Sequence, residues 1–194
     1  MKVRLSTILF LLLSPLAQAG VIQGSCDVRF IGSSTLHDFS GTGRCEPFSA
    51  PLVQDAAGKA ILPSVVVEVP VAEMKTGNDS RDGSMREMFQ ADRHPRIRAT
   101  ARDVDTDKVR ETMRKDPEGK APLDISLAIR GVERKIRATA GNLKEEGSRV
   151  SFDFEFPLSL KEFDLKAPTV LGFIRVADKV LVKGTFVLDV SQAP

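Results

Sequence analysis

Histidine and cysteine are the side chains whose reactivity is most readily used near neutral pH, and the chain has two of each. His37 precedes Asp38 and His94 precedes Pro95, and neither histidine lies in a zinc-type spacing such as His-Glu-x-x-His. We therefore favour a hydrogen-bonded turn for His37 and an exposed loop for His94 over a metal site that both would share with an acid. The chain also lacks a Gly-x-Ser-x-Gly elbow, a phosphate-binding loop and a dinucleotide fingerprint. We predict a protein that is not an enzyme and has no metal site.

The two cysteines, Cys26 and Cys45, are an even pair, which in an exported protein usually forms a disulfide. Cys26 shares the strand alternation of Phe30, and Cys45 shares that of Phe39. A hairpin that turns near residues 35–36 would bring both cysteines to one face, within the ~7 Å Cα separation that a disulfide allows. We therefore predict that they are paired.

Two other roles for the cysteines stay open. A redox pair is disfavoured because no Cys-x-x-Cys spacing is present. A lipoprotein acylated at Cys26 is disfavoured because residues 23–25 lack the leucine expected three places upstream, and because Cys45 would then have no partner.

The first nineteen residues have the order of a secretory signal peptide. A basic start at Lys2 and Arg4 is followed by an apolar run over 5–16 and a small-x-small sequence that ends at Ala19. The run is shorter than the ~20 residues that a membrane-spanning helix needs, although an anchoring helix is an alternative. We expect cleavage after Ala19, which leaves 20–194 as one periplasmic or secreted domain.

The domain that remains after cleavage carries no net charge, because loss of Lys2 and Arg4 leaves 26 basic and 26 acidic residues. A neutral chain has no electrostatic footprint for nucleic acid, so we expect no such partner. Its oligomeric state is not indicated by the sequence.

Apolar and polar residues alternate in about eight segments, which indicates half-buried β-strands. Short polar or glycine-containing links favour antiparallel hairpins, and closure into a barrel leaves no exposed edge. We therefore predict an all-β, eight-stranded antiparallel β-barrel. The alternation is clearest at 67–71, 97–101, 123–129, 136–140, 150–158 and 178–190.

One segment follows a helical period instead. Asn78 or Asp79 can cap a short helix over about 80–90. The apolar face of this helix carries Met85, Met88 and Phe89. The charged stretch 105–122 contains two prolines, and we predict an exposed connection there, with a helical turn as the alternative.

Small residues share the predicted inner faces with large apolar ones. Side chains can just fill an eight-stranded barrel, or leave space for one ligand. Small inward residues leave volume unfilled, although they also let strands pack closely or coil sharply. The barrel is therefore a candidate container. The small residues are Gly32, Gly41, Gly43, Ala99, Ala101, Ala138, Ala140 and Gly184.

Several motifs resemble those of the YceI-like family, and together they span about 24–190. The opening 35–38 departs from the longer form of the family, as in a divergent subgroup. The motifs are Ser-Thr and Phe-Ser-Gly within 34–41, Thr-Gly-Asn at 76–78, Arg-Asp at 81–82, Pro-Arg-Ile at 95–97, Leu-Ala-Ile-Arg-Gly-Val at 127–132 and Gly-Phe-Ile-Arg-Val at 172–176.

The resemblance implies an extended, lipocalin-like barrel with one short inserted helix and an elongated pore that binds polyisoprenoids or related long-chain lipids. Family members are often periplasmic, and some are associated with b-type cytochromes. A true lipocalin is disfavoured, because its Gly-x-Trp signature cannot occur in a chain without tryptophan.

We therefore expect an isoprenoid, a quinone or a fatty-acid-like lipid in the pore, and no other cofactor. Two alternatives stay open: a quinone-binding accessory to a membrane b-type cytochrome, and a solid barrel that acts as a stress-related interaction module without ligand. Candidate head-group contacts are Arg81, Arg86 and Arg175, for which local ion pairing is the favoured alternative. The expected pore lining is Val28, Phe30, Val67, Val69, Met85, Met88, Phe89, Ile125, Leu127, Phe152, Phe154, Val182 and Phe186.

Overall fold

The structure is a computed structural model that describes residues 19–167 and 175–192. The predicted signal peptide, apart from Ala19, and most of the motif at 172–176 lie outside the described residues. The described part contains nine strands and two α-helices. They are β1 (Ala19–Ser34), β2 (Phe39–Arg44), β3 (Phe48–Gln54), β4 (Ala60–Pro70), α1 (Asp79–Phe89), β5 (Arg96–Asp105), α2 (Thr106–Lys115), β6 (Ala121–Ile129), β7 (Val132–Glu146), β8 (Arg149–Ser159) and β9 (Val176–Gln192).

All nine strands belong to one antiparallel sheet that closes on itself through pairing of β1 with β9. β2 pairs with the second half of β1, where Val28 lies opposite Gly43, and β3 pairs with its first half, where Ile22 lies opposite Ala50. Because β2 and β3 together occupy one strand position, the barrel has eight positions. The predicted all-β, eight-stranded antiparallel barrel is confirmed.

The break between β2 and β3 is held by a disulfide between Cys26 and Cys45, whose Cα atoms lie 5.3 Å apart. The backbone N–H of Cys45 also donates to the carbonyl of Cys26 at 3.0 Å. Closing this 19-residue separation stabilises the fold by about 3 kcal/mol through the unfolded state. The predicted pairing is confirmed.

Helix α1 begins after Asn78, whose side chain accepts a hydrogen bond from the backbone N–H of Arg81 at 2.9 Å. It ends at Gln90, which adopts a left-handed conformation with φ 51°. Met85 and Phe89 on the inner face are buried in the largest hydrophobic cluster of the barrel. The predicted helix is therefore confirmed, and it lies at the end of the barrel where β4 finishes and β5 begins.

A buried carboxylate anchors α1 to the barrel. Asp82 is 2% exposed and accepts hydrogen bonds from the backbone N–H of Thr76 at 2.8 Å and from its hydroxyl at 2.6 Å. The segment before Thr76 is in turn bonded to β2, because Lys75 and Thr42 exchange backbone hydrogen bonds of 2.7 and 2.8 Å. The hydroxyl bond from Thr76 is the largest cause that holds the pKa of Asp82 below its ordinary value.

The exposed connection predicted over 105–122 is wrong, because residues 106–115 of this stretch form α2. The side chain of Asp105 accepts from the backbone N–H of Lys108 at 2.8 Å and so caps the helix. Val109 and Met113, spaced i and i+4, face the barrel, and Met113 is 6% exposed. The barrel therefore carries two helices rather than the one that was predicted.

The two helices lie at opposite ends of the barrel, since β5 runs from the α1 end to the start of α2. Its ten residues span about 30 Å at 3.3 Å per residue. β5 pairs with β6 only from Arg98 to Thr100, and beyond that point the strands diverge. Helix α2 contacts β4, β5 and β6 at this end. It therefore closes a gap that the sheet leaves.

Most of the inward glycines are covered by phenylalanine rings from the neighbouring strands. At four of them an added Cβ would come within 3 Å of the ring of the residue opposite. The space above these four glycines is therefore filled by rings that lie along the wall, whereas a Cβ at Gly43 would contact Met74 and Val69 instead. The alanines leave the predicted unfilled volume. The pairs are Gly24–Phe48, Gly32–Phe39, Gly41–Phe30 and Gly184–Phe154.

We expect Gly184→Ala to destabilise the barrel by about 2 kcal/mol or more, because the new methyl group would overlap the carbonyl of Asp27 as well as the Phe154 ring. Gly141→Ala is the matched control, because it also adds a methyl group to a strand glycine. The nearest atom to this methyl group would belong to Lys120, at 3.5 Å, so we expect the free energy of unfolding to change by less than about 1 kcal/mol. Urea unfolding of the oxidised proteins measures both. Equal stabilities for the two variants would contradict the covered-glycine packing.

We expect Asp82→Asn to lower the free energy of unfolding at pH 7 by about 1 kcal/mol or more, because it removes a buried charge that accepts two hydrogen bonds. The folded pKa of Asp82 is depressed, so this contribution is complete above the unfolded pKa of about 4 and is lost as the pH falls through the folded pKa. The difference in the free energy of unfolding between wild type and Asp82→Asn should therefore shrink as the pH is lowered.

The control for this measurement is Asp92→Asn, an exposed carboxylate beyond the end of α1, which should have little effect at any pH. A constant gap between wild type and Asp82→Asn from pH 7 to pH 2 would contradict the role assigned to the Asp82 charge.

Candidate functional site

An apolar cavity of about 670 Å³ occupies the interior of the barrel. Its lining comes from every strand and from both helices, so it extends from the α1 end to the α2 end. A cavity of this size argues against the solid barrel considered above. It falls in the range of volumes in which proteins bind small molecules.

All thirteen residues expected to line a pore lie in the wall of this cavity. Strand alternation turns ten of them inward, and α1 places the other three, Met85, Met88 and Phe89, across one end. Their contact with a ligand stays a prediction.

Aromatic rings cover one side of the cavity, on β8 and β9. The Phe186 ring lies 5.2 Å from the Phe152 ring and 5.0 Å from the Phe154 ring, measured between centroids. Phe48 of β3 adds an edge-on contact with Phe186 at 6.1 Å. These rings make a continuous apolar wall against which apolar chains or flat rings can pack.

Alanines of β5 and β7 provide much of the remaining width. Ala99, Ala101, Ala138 and Ala140 all line the cavity. Their short side chains leave space that a leucine or phenylalanine at the same position would occupy. The predicted role of small inward residues is thus observed at the alanines.

Polar lining residues are concentrated at the α1 end, and we call this group the polar rim. Three of its members, His37, Asn78 and Ser80, are exposed to solvent, so the described part of the cavity reaches water at this end. The turn predicted for His37 is present, because the Ser34 hydroxyl donates to its carbonyl at 2.8 Å. The polar rim consists of Ser34, His37, Thr76, Asn78, Ser80, Arg81 and Ser84.

The three arginines proposed as head-group contacts differ in position. Arg81 lies in the polar rim, with its guanidinium carbon 5.4 Å from the centroid of the Phe39 ring. Arg86, on the same helix, is not in the cavity wall, and its charge helps to depress the pKa of Asp82. Arg175 is exposed and outside the wall, and its backbone exchanges hydrogen bonds with Thr35. Arg81 is thus the arginine of the three that a ligand in the cavity could reach.

The α2 end of the cavity was missed by the sequence reasoning. Val109 and Met113 line it, together with the polar Thr106 and Arg110. Their spacing of i, i+3, i+4 and i+7 was visible in the sequence, but the many charges of the segment concealed it. The guanidinium of Arg110 forms ion pairs with Glu145 at 2.8 Å and Asp107 at 3.0 Å.

Other kinds of site are not found within the described residues. No group of three His, Cys, Asp or Glu side chains among them is arranged to hold a metal ion. His94 lies near the turn at Gly131, away from the cavity wall. No helix in the described ranges is long and apolar enough to span a membrane.

Comparison with solved structures finds the same fold in two bacterial proteins. BcnA of Burkholderia cenocepacia has a TM-score of 0.59 at 15% identity, with 84% of this chain and 95% of that chain covered. A polyisoprenoid binding domain from Saccharophagus degradans, implicated in plant cell wall breakdown, has a TM-score of 0.59 at 14% identity, with 89% and 99% covered. No curated relative matches the chain in sequence.

The motifs that suggested a family in the sequence have defined places in this fold. Thr76 and Asp82 of the Thr-Gly-Asn and Arg-Asp motifs bond to each other, and Asn78 caps α1 at the cavity mouth. The YceI-like domain matches residues 26–188, which is most of the chain. The chain belongs to the YceI-like family.

Proposed function

We propose that this protein is an exported, non-catalytic binding protein that sequesters or carries an isoprenoid or another long-chain apolar lipid. The observation that carries the proposal is the continuous apolar cavity along the inside of a closed barrel. Membership of the YceI-like family supports it, as does the polyisoprenoid binding attributed to the structurally similar domain of Saccharophagus degradans.

Burial of the chain supplies the affinity. Each CH₂ group that leaves water contributes about 0.8 kcal/mol, so about twenty such groups would give ~16 kcal/mol before any cost. The loss of ligand freedom removes a substantial part of this sum. A few isoprene units are therefore enough for retention, and polar contacts select only the head group.

An exported carrier of this kind would be useful because an apolar lipid cannot cross an aqueous compartment unaided. The disulfide between Cys26 and Cys45 is consistent with an oxidising compartment such as the periplasm. It also fixes the break between β2 and β3 beside the cavity.

A quinone-binding accessory to a membrane b-type cytochrome is the second candidate. The observation that favours it is the aromatic side formed by Phe152, Phe154 and Phe186, on which a quinone ring could stack. The ultraviolet absorbance of a co-purified ligand separates the two candidates, since a quinone absorbs there and a polyprenyl chain does not.

We expect Ala99→Phe to weaken binding of geranylgeraniol to the lipid-stripped protein at least tenfold, because the ring would occupy the cavity. The matched control is Ala128→Phe, which adds the same ring to the adjacent strand at a position outside the cavity wall. Titration of the radiolabelled alcohol measures the binding, with circular dichroism as a check of folding.

A folded Ala99→Phe protein that binds geranylgeraniol as tightly as Ala128→Phe would contradict the proposal. So would a wild-type protein that takes up neither geranylgeraniol nor a fatty acid of similar length after lipid has been removed.

A further inference from the structure

The cavity is polar at one end and apolar at the other. The seven residues of the polar rim surround the α1 end, whereas the α2 end offers only Thr106 and Arg110 as polar groups among the described lining residues. Thr106 is already bonded to the carbonyl of Ala60 at 2.9 Å, and Arg110 is already paired with two carboxylates. At the α1 end Ser34, Thr76 and Asn78 are also bonded within the protein, but four other rim side chains make no hydrogen bond to another described residue. These four are His37, Ser80, Arg81 and Ser84. A polar head group therefore finds free hydrogen-bonding groups at the α1 end, and the apolar tail points towards α2.

Ion pairs and a hydrogen bond also connect α2 to the neighbouring strands. Lys59 forms an ion pair with Asp105 at 3.6 Å, and Arg110 links the helix to Glu145 of β7. The backbone N–H of Ala60 donates to Asp107 at 3.3 Å. These contacts join the first half of α2 to β4 and β7, on both sides of the gap that the helix closes. The helix is therefore a fixed part of the wall.

Buried apolar side chains gather at this end of the cavity. Met113 packs with Ala121 and Ala140 in a buried cluster, against which Val109 and Leu143 lie. A second buried cluster on β1, β3 and β4 contains Ile22, Ala50 and Leu62. All of these except Ala50 and Ala121 line the cavity. A tail that reaches this end meets close-packed apolar atoms that it cannot displace without loss of packing.

We propose that α2 forms the tail-end wall of the cavity and that Met113, supported by Val109, sets the longest apolar chain the protein accepts. The inference rests on the proposed function and adds the direction of the ligand and the residue that limits its length. Met113 is suited to this position because its unbranched side chain projects from a fixed helix into the end of the cavity.

The test compares the dissociation constants of prenols of increasing length, from geraniol through farnesol and geranylgeraniol to longer homologues. For the wild type, each added isoprene unit should tighten binding at least tenfold up to a limiting length, beyond which binding stops improving or weakens. Met113→Ala should tighten binding of the first prenol beyond that limit about tenfold and leave shorter ones unchanged. Met113→Phe should shorten the limit by about one unit.

Met88→Ala is the matched control, because it shortens a methionine that lines the cavity at the α1 end. It should change the affinity of every prenol by a similar factor and leave the limiting length where it is. Val109→Ala provides a second, smaller truncation at the α2 end, should Met113→Ala fail to fold by circular dichroism.

The inference is overturned if the limiting length follows Met88 instead of Met113 and Val109, or if no limit is found. Failure of the proposed function is a separate result, in which the wild type binds no prenol of any length. Binding with a limit that neither helix affects would overturn the inference and leave the proposed function in place.

Discussion

The closed hydrogen-bond ladder of the barrel keeps its interior open. An empty apolar cavity costs packing energy, and most protein interiors avoid that cost by collapse. Here collapse would require the wall to narrow, and the wall is a sheet that closes through the β1–β9 pairing, with α2 over the gap between β5 and β6. Each inward step of a strand would break backbone hydrogen bonds that no other group could replace. The backbone therefore sets the diameter of the barrel, and the side chains fill only the part of the interior that they can reach.

The side chains follow this constraint in two ways. Phenylalanines opposite inward glycines lie flat on the wall, as Phe154 lies over Gly184, so that large rings add apolar surface without blocking the axis. Alanines such as Ala99 and Ala138 keep the remaining wall thin. At the α1 end, the buried Asp82 on the inner side of α1 accepts hydrogen bonds from Thr76. At the α2 end, ion pairs hold α2 over a gap in the sheet. A single apolar space with two chemically different ends results.

Much of this could be predicted from the sequence because strand alternation has a fixed period and determines which face each side chain takes. The eight strand positions, the Cys26–Cys45 pairing and the inward direction of the pore residues on the strands follow from it. Helix α1 follows instead from the helical spacing of Met85, Met88 and Phe89. Helix α2 was not predicted, because a segment with charges at most positions packs only Val109 and Met113 against the barrel. An apolar stripe this narrow does not distinguish a helix from a loop. The burial of Asp82 could not be predicted either. It depends on the hydroxyl and amide of Thr76 six residues earlier, a contact that exists only once the segment has bonded to β2.

The central claim is that a long apolar molecule completes the interior that the chain leaves unfilled. Organic extraction of protein purified without detergent from the exported fraction of its own host, followed by quantitative mass spectrometry, tests this most directly. The account predicts about one equivalent of a long-chain apolar lipid per barrel, as expected for a barrel of this size. An extract that contains no apolar molecule above trace level, from protein that is folded and has its disulfide formed, would contradict it.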